Sequence, residues 1–237
     1  MFDISGKSAL VTGGTSGIGA AIANGLEAAG CRVMAAGLPA DKTASQLNQG
    51  IEVAPLDVAD TAGIRLLVAS LTHLDILVNG AGVIRRQAEY GLDIFESVID
   101  VNLTGTMRMC IACRPLLAES GGAIVNIASM SSFFGNGPAP AYSASKGGVA
   151  QLTKSLAIAW GTENIRVNAV APGWITTPLT QALRDDPARS AAILARTPLN
   201  RWGQPEDVVG AVLFLCSPAA AFITGIVLPV DGGYLIA

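Results

Sequence analysis

The chain has 237 residues, of which 51% are hydrophobic and 14% charged, with a formal net charge of −3. That length supports one large α/β core over residues 1–237 without division into two domains, and the scattered basic residues give no field for wrapping a polynucleotide. No apolar run approaches membrane-spanning length, and residues 1–7 carry no basic-then-apolar leader, so a cytoplasmic protein with neither a membrane nor a nucleic-acid partner is expected.

In chain order, short β-branched runs bounded by glycine or polar turns predict buried parallel strands at 8–12, 32–36, 52–56, 76–79, 123–128, 166–171 and 226–230. Helical spacing between them predicts helices at 17–29, 94–118, 142–161, 187–196 and 205–215. The alternation gives a doubly wound α/β fold of Rossmann type, with helices on both faces of the sheet and any chemistry in the loops after the strands. Cys31, Cys110, Cys113 and Cys216 lack a redox-motif context and are read as buried free thiols. His73 is the single histidine and has no companion ligands for a tetrahedral metal site, so it is read as a loop residue and no metal is expected.

The first strand runs into Thr12-Gly13-Gly14-Thr15-Ser16-Gly17-Ile18-Gly19 and then a helix with apolar residues at Ile22, Leu26 and Ala29. A turn this tight needs glycine where φ is positive or where backbone approaches a pyrophosphate, and the helix N-terminus behind it offers free N–H groups. No Gly-Lys-Ser/Thr follows, which excludes a nucleoside triphosphate P-loop. After the second strand a dinucleotide site carries an acid for NAD or a base for NADP. Here Gly37 and Leu38 stand there, with Ser16 in the turn, so NAD(H) is favoured; Asp41 and Lys42 leave NADP open.

The fifth strand is followed by Ser129, and thirteen residues later Tyr142-Ser143-Ala144-Ser145-Lys146 opens a long helix. Tyr142 and Lys146 are four apart and share a helix face. An ammonium roughly 4 Å from a phenolate stabilises it by about 4 kcal/mol at an effective dielectric near 20, or about three pKa units. Such a tyrosine exchanges a proton with an alcohol or ketone oxygen while hydride crosses to or from a nicotinamide, and Ser129 donates to the same oxygen. Singly, each residue has an ordinary reading as a surface pair or a cap; behind a glycine turn, together, they read as a catalytic set.

The glycine turn, Asn79-Gly80-Ala81-Gly82, Asn102, Ser129, Tyr142-x-x-x-Lys146 and Pro172-Gly173 occur in the order seen in short-chain dehydrogenases/reductases, which the chain resembles over nearly its whole length. The resemblance implies a seven-stranded sheet ordered 3-2-1-4-5-6-7, a homotetramer, and a catalytic tetrad of Asn102, Ser129, Tyr142 and Lys146 in which Asn102 holds a relay water. It further implies that Lys146 grips the nicotinamide ribose and that Pro172, Gly173, Ile175 and Thr177 orient the carboxamide end. Asn79, Gly80 and Ala81 would form the turn after strand four, looser than usual because Gly80 replaces the family's second asparagine. Leu56-Asp57-Val58 resembles the adenine-contacting turn, with a helix N-cap as the other reading of Asp57.

Substrate choice is expected in three loops: Val83-Ile84-Arg85-Arg86, Met130-Ser131-Ser132-Phe133-Phe134, and residues 174–200, which begin at Trp174. With Asn126-Ile127-Ala128-Ser129-Met130, Ala192-Ile193-Leu194 and Arg201-Trp202-Gly203, these loops resemble dehydrogenases of 2-deoxygluconate and 2-keto-3-deoxy sugar acids. That resemblance implies a small polyhydroxylated acid whose carboxylate Arg85 or Arg86 would bind; Arg201 is read as structural, paired with Glu206 or Asp207. The alternatives are a 3-oxoacyl thioester reductase, a non-catalytic dinucleotide-binding regulator, and a sugar-nucleotide epimerase, which normally carries a longer C-terminal lobe. Apolar residues on more than one face of 102–118 and 142–160 point to subunit contacts, and the apolar end, 230–237, to packing against a neighbouring subunit or an active site.

Overall fold

Thr12, Asn79 and Asn126, far apart in the chain, stand side by side in the computed structural model, at the carboxyl ends of three neighbouring parallel strands. The structure describes residues 1–38 and 47–237; Asp41 and Lys42 lie outside them. The strands are β1 (Ser8–Thr12), β2 (Arg32–Gly37), β3 (Glu52–Pro55), β4 (Ile76–Asn79), β5 (Ala123–Ile127), β6 (Arg166–Pro172) and β7 (Val227–Val230). They form one all-parallel sheet in the order β3-β2-β1-β4-β5-β6-β7, as expected, with ends within a residue of the predicted ones.

The helices are α1 (Gly17–Ala28), α2 (Thr61–Ala69), α3 (Leu92–Ile99), α4 (Gly105–Ser120), α5 (Pro140–Trp160), α6 (Gln181–Arg184), α7 (Pro187–Ala195) and α8 (Pro205–Cys216). Period-two alternation sorts each strand's residues between two cores. Val11, Val78 and Val125 pack with Ile22 and Leu26 of α1 and Val208, Val212 and Leu215 of α8. Their neighbours Leu10, Leu77 and Ile124 face Met109, Cys110, Cys113 and Leu117 of α4 and Leu156 and Trp160 of α5. All four cysteines are buried free thiols, and burial pushes Cys31 up to about 11 and Cys110 and Cys216 up to about 12.

The helix predicted as one rod at 94–118 is interrupted. Residues Asp100–Thr104 make a wide π turn between α3 and α4, the kind of single-turn bulge found often at functional positions. No sequence period marks it. Strand order reverses between β1 and β4, and the crevice outside their carboxyl ends is where ligands bind in such sheets.

Candidate active site

At the reversal, Gly13 has φ +63° and the position of a Cβ on it lies 2.7 Å from the Ala81 amide nitrogen, so β1's turn and β4's turn touch backbone to backbone. A Cβ on Gly19 would collide with the Gly13 carbonyl oxygen, so the start of α1 lies pressed against the same turn. Ser16 is extended at the N-cap and its side chain caps nothing, leaving the first-turn N–H groups to face outward. They open on a groove of about 310 Å3 lined on one side by Gly13, Ser16, Gly17, Ile18 and Gly19 and on the other by Gly80, Tyr142, Lys146 and Thr177. A glycine cradle with uncapped helix amides suits a pyrophosphate, so these residues fit a dinucleotide.

Thr15 packs on Gly37, where a Cβ would lie 2.7 Å from its Oγ1, and Leu38 emerges beyond it, 61% exposed. Several expectations along this edge are corrected. Asn79 turns its amide inward, Nδ2 donating to Asn126 Oδ1 at 2.9 Å and to Cys110 Sγ at 3.2 Å, so its side chain braces the strands instead of facing the groove. The turn at Gly80 is tight, not loose, because a Cβ there would stand 2.8 Å from the Thr12 carbonyl oxygen. Asp57 does not cap α2: its Oδ1 accepts from Ala59 N at 2.9 Å, while Asp60 is the cap, accepting from Ala62 N. Val58 is buried against Gly105, where a Cβ would meet its Cγ2 at 2.7 Å, and packs the start of α4.

Tyr142 and Lys146 lie on one face of α5, with Lys146 Nζ 5.8 Å from the phenol ring's centre. Burial lowers Lys146 to about 8, and Nζ donates to the Ile127 carbonyl at 2.6 Å. The expected depression of Tyr142 by three units is corrected. Burial raises this phenol above 10.0 and the Glu89 carboxylate adds to the rise, while the Ser129 hydroxyl and the Arg86 guanidinium pull it back. Tyr142 is therefore a proton donor at neutral pH in the ligand-free protein. Ser129 stands beside it; its Oγ accepts from Ser131 N at 3.1 Å, and Ser132 Oγ donates to the Lys146 carbonyl at 2.7 Å, which stitches the turn after β5 to α5.

Asn102 sits in the wide turn, fully buried. Its Oδ1 accepts from Val83 N at 2.8 Å, and Nδ2 donates to Val83 O at 2.9 Å and Ser145 Oγ at 3.0 Å. With both amide hydrogens spent, its side chain holds the turn after β4 to α5.

A second chamber, about 280 Å3, joins the groove at Tyr142, Ile18 and Thr177. Ser129, Met130, Ser131, Pro172, Gly173, Trp174 and Ile175 form its walls. Arg86 lines it, with Nη1 3.4 Å from the Leu179 carbonyl. Arg85 does not: its side chain is exposed, and the expectation that either arginine serves the substrate narrows to Arg86. Trp174 Nε1 is a buried donor without a partner at this wall. Arg201 pairs with Asp207 through two contacts of 2.6 and 2.9 Å, the structural role expected of it.

Three further features stand at or beside the chamber, and of these the sequence pointed only to the apolar end. Tyr234, from the apolar end, lines the chamber edge-on to Trp174; only the apolar character of that end signalled it. Arg196 lies over the rings of Tyr234 and Phe134, at 4.3 and 5.5 Å. Glu89, 1% exposed, accepts from Arg85 N at 2.7 Å and Tyr142 N at 2.9 Å; its polar neighbours Gln87 and Tyr90 gave no sign of burial.

Comparison with known proteins bears on this geometry. The family described as enoyl-(acyl carrier protein) reductase matches residues 13–235. A 2-dehydro-3-deoxy-D-gluconate 5-dehydrogenase of Pseudoalteromonas atlantica is 40% identical over 248 residues, covering 99% of this chain and 98% of its own. A solved structure from Agrobacterium tumefaciens, provisionally assigned as a 2-deoxy-D-gluconate 3-dehydrogenase and holding NADP, is 43% identical with a TM-score of 0.92 over 100% of this chain and 99% of that one. A gluconate 5-dehydrogenase of Burkholderia cenocepacia, in complex with NADP and tartrate, is 35% identical with a TM-score of 0.93, covering 100% and 98%.

Proposed function

We propose that this chain, which belongs to the short-chain dehydrogenase/reductase family, reduces and oxidises a small polyhydroxylated acid at one carbonyl or alcohol carbon, with residues 1–237 as one catalytic unit. The observation that carries the reading is the meeting of two cavities at Tyr142: a glycine-cradled groove holding Lys146 and a chamber holding Ser129 and Arg86. The pyridine nucleotide, when bound in the groove, supplies or accepts the hydride. Tyr142 gives its proton to the ketone oxygen and Ser129 donates to the same atom, steadying the charge that develops there. Lys146, buried beneath the groove, holds a sugar hydroxyl of the cofactor. Arg86 pairs with the acid's carboxylate, and the unpartnered Trp174 Nε1 donates to one of its oxygens. The relatives named for gluconate-type acids, and the tartrate bound in one, support this class over acyl thioesters.

NAD(H) is the proposed cofactor. The residues beside the groove's adenosine end, Ser16, Gly37 and Leu38, are uncharged, and a 2′-phosphate asks for a cation there. The NADP found in the relatives makes the other form the direct rival. Initial rates with NADH and NADPH across 2-keto-3-deoxy and 5-keto sugar acids, with acetoacetyl thioester as the contrast, test both proposals. Turnover of a keto sugar acid and faster rates with NADH are expected; turnover of the thioester alone would replace the substrate class, and a strong NADPH preference would overturn the choice of NAD(H).

Among the described residues no helix is long and apolar enough to cross a membrane. Four buried free thiols suit the reducing cytoplasm, where we place the protein. Ile111 on α4 and Ile158 on α5 are 57% and 85% exposed, and large apolar side chains on two neighbouring helices support assembly as a homotetramer. Sedimentation at micromolar concentration is expected to give a particle about four times the chain mass, and a stable monomer would remove the proposal.

A further inference from the structure

Between the Arg85-Arg86 turn and the start of α5 lies a short 3-10 turn, Ala88–Tyr90, with one acid in the protein interior. Glu89 is 1% exposed and its two oxygens are taken by two backbone amides from different parts of the site: Oε1 by Arg85 N at 2.7 Å and Oε2 by Tyr142 N at 2.9 Å. Two N–H donors, one for each oxygen, suit a carboxylate. The amide of Tyr142 belongs to the first turn of α5, whose N–H groups have no partner inside the helix, so this acid sits where the helix dipole favours negative charge. The surrounding backbone repeats the join: Gln87 N donates to Pro138 O at 2.7 Å, and Tyr90 Oη donates to Gly137 O at 2.8 Å. Gln87 holds φ +66° to make the turn, a conformation that non-glycine residues adopt when the surroundings enforce it.

We propose that Glu89 is a positioning residue, its buried carboxylate fixing the first turn of α5, and with it Tyr142, in register with the Arg85-Arg86 turn that supplies the chamber's cation. One side chain thereby sets the spacing between the group that protonates the ketone and the group that holds the far end of the substrate. The second consequence is electrostatic. The groups that face the phenol are Glu89 from the 3-10 turn, Arg86 from the turn before it, and Ser129 after β5, with Lys146 on α5 itself. Glu89 is the negative one, and it holds the phenol toward its protonated form, the form that donates in ketone reduction.

The inference rests on Tyr142 as the proton donor, and its test separates the two. Tyrosinate absorbance of the parent minus that of Tyr142→Phe reads the phenol's titration without substrate or cofactor. In Glu89→Gln the negative charge is gone and a single amide oxygen must serve two N–H donors. The titration is expected to move to lower pH and kcat to fall roughly tenfold with little change in the KM of the cofactor. Glu89→Asp keeps the charge on a shorter arm; it is expected to titrate like the parent while kcat still falls, and it serves as the test should Glu89→Gln not fold. A Glu89→Gln protein with the parent's titration, active or inactive, overturns the proposal, as does a Glu89→Asp protein whose titration moves to lower pH. Failure of Tyr142→Phe to lose turnover would instead overturn the assignment of the donor, leaving the titration result to stand by itself.

Discussion

Replacing Tyr142 by phenylalanine is expected to lower kcat by about 10²–10⁴-fold, the usual contribution of a positioned general acid, with cofactor affinity nearly unchanged. The substitution removes one oxygen from a buried ring and leaves the ring's volume. The amide that holds the residue in place, donated to Glu89, belongs to the backbone and survives. Ser129 alone then faces the ketone oxygen, and an aliphatic hydroxyl gives up its proton far less readily than a phenol. Steady-state rates of the variant, with cofactor binding followed by fluorescence, check the split. Unchanged turnover would mean that the proton comes from elsewhere.

Replacing Lys146 by methionine is expected to abolish most turnover, by about 100-fold or more, and at the same time to change how stability depends on pH. Lys146 is 5% exposed, and burial lowers it from 10.5 to about 8. Between those two values the unfolded chain binds the proton and the folded one does not, so this group's contribution to stability rises with pH across that window. Below about 8 both states are protonated and the contribution is flat. The gap corresponds to about 3 kcal/mol, present as a burden at pH 7 and relieved toward pH 10.5. The buried thiols act in the opposite sense, since the unfolded chain releases their protons near 9.0 while the folded one holds them to 11 or 12. The difference between parent and Lys146→Met isolates the lysine. Denaturant unfolding at a series of pH values is expected to show the variant gaining on the parent at pH 7 and losing that gain by pH 10, less what the orphaned Ile127 carbonyl costs. A pH-independent difference would mean that Lys146 titrates near its ordinary value in the fold.

The same lysine shows where sequence reasoning succeeds and where it stops. The strands were legible because each is a β-branched run between turn residues, and the pairing of Tyr142 with Lys146 because four residues make one helical turn. Their electrostatics were not. A spacing gives proximity, but desolvation depends on what the rest of the chain places around the pair, and here burial outweighs the attraction between ammonium and phenolate. Direction was similarly hidden. Asn79 ends a strand at the crevice, and only the three-dimensional register with Asn126 and Cys110 shows that its amide points inward. Arg85 and Arg86 are adjacent and chemically identical, and the fold alone sends one to the chamber and the other to solvent. Glu89 sits in a short polar stretch that reads as a surface loop; the partners that hold the stretch, Pro138 for Gln87, Gly137 for Tyr90 and Tyr142 for Glu89 itself, are separated from it by more of the chain than any periodicity spans.

The wide turn at Asp100–Thr104 joins Leu92–Ile99 to Gly105–Ser120 through residues that keep right-handed helical angles, Asp100 at φ −62°, ψ −45° and Gly105 at φ −60°, ψ −43°. An α-helix advances about 100° per residue, so deleting one residue from 92–99 would turn the side chains on one side of the deletion by that angle relative to those on the other. With Met109, Cys110 and Leu117 held in the core beyond the turn, loss of Ile99 would carry Val98, now fully buried, out of its seat. A single-codon loss there would reach the active site through the adjoining turn, where Asn102 ties Val83 to Ser145.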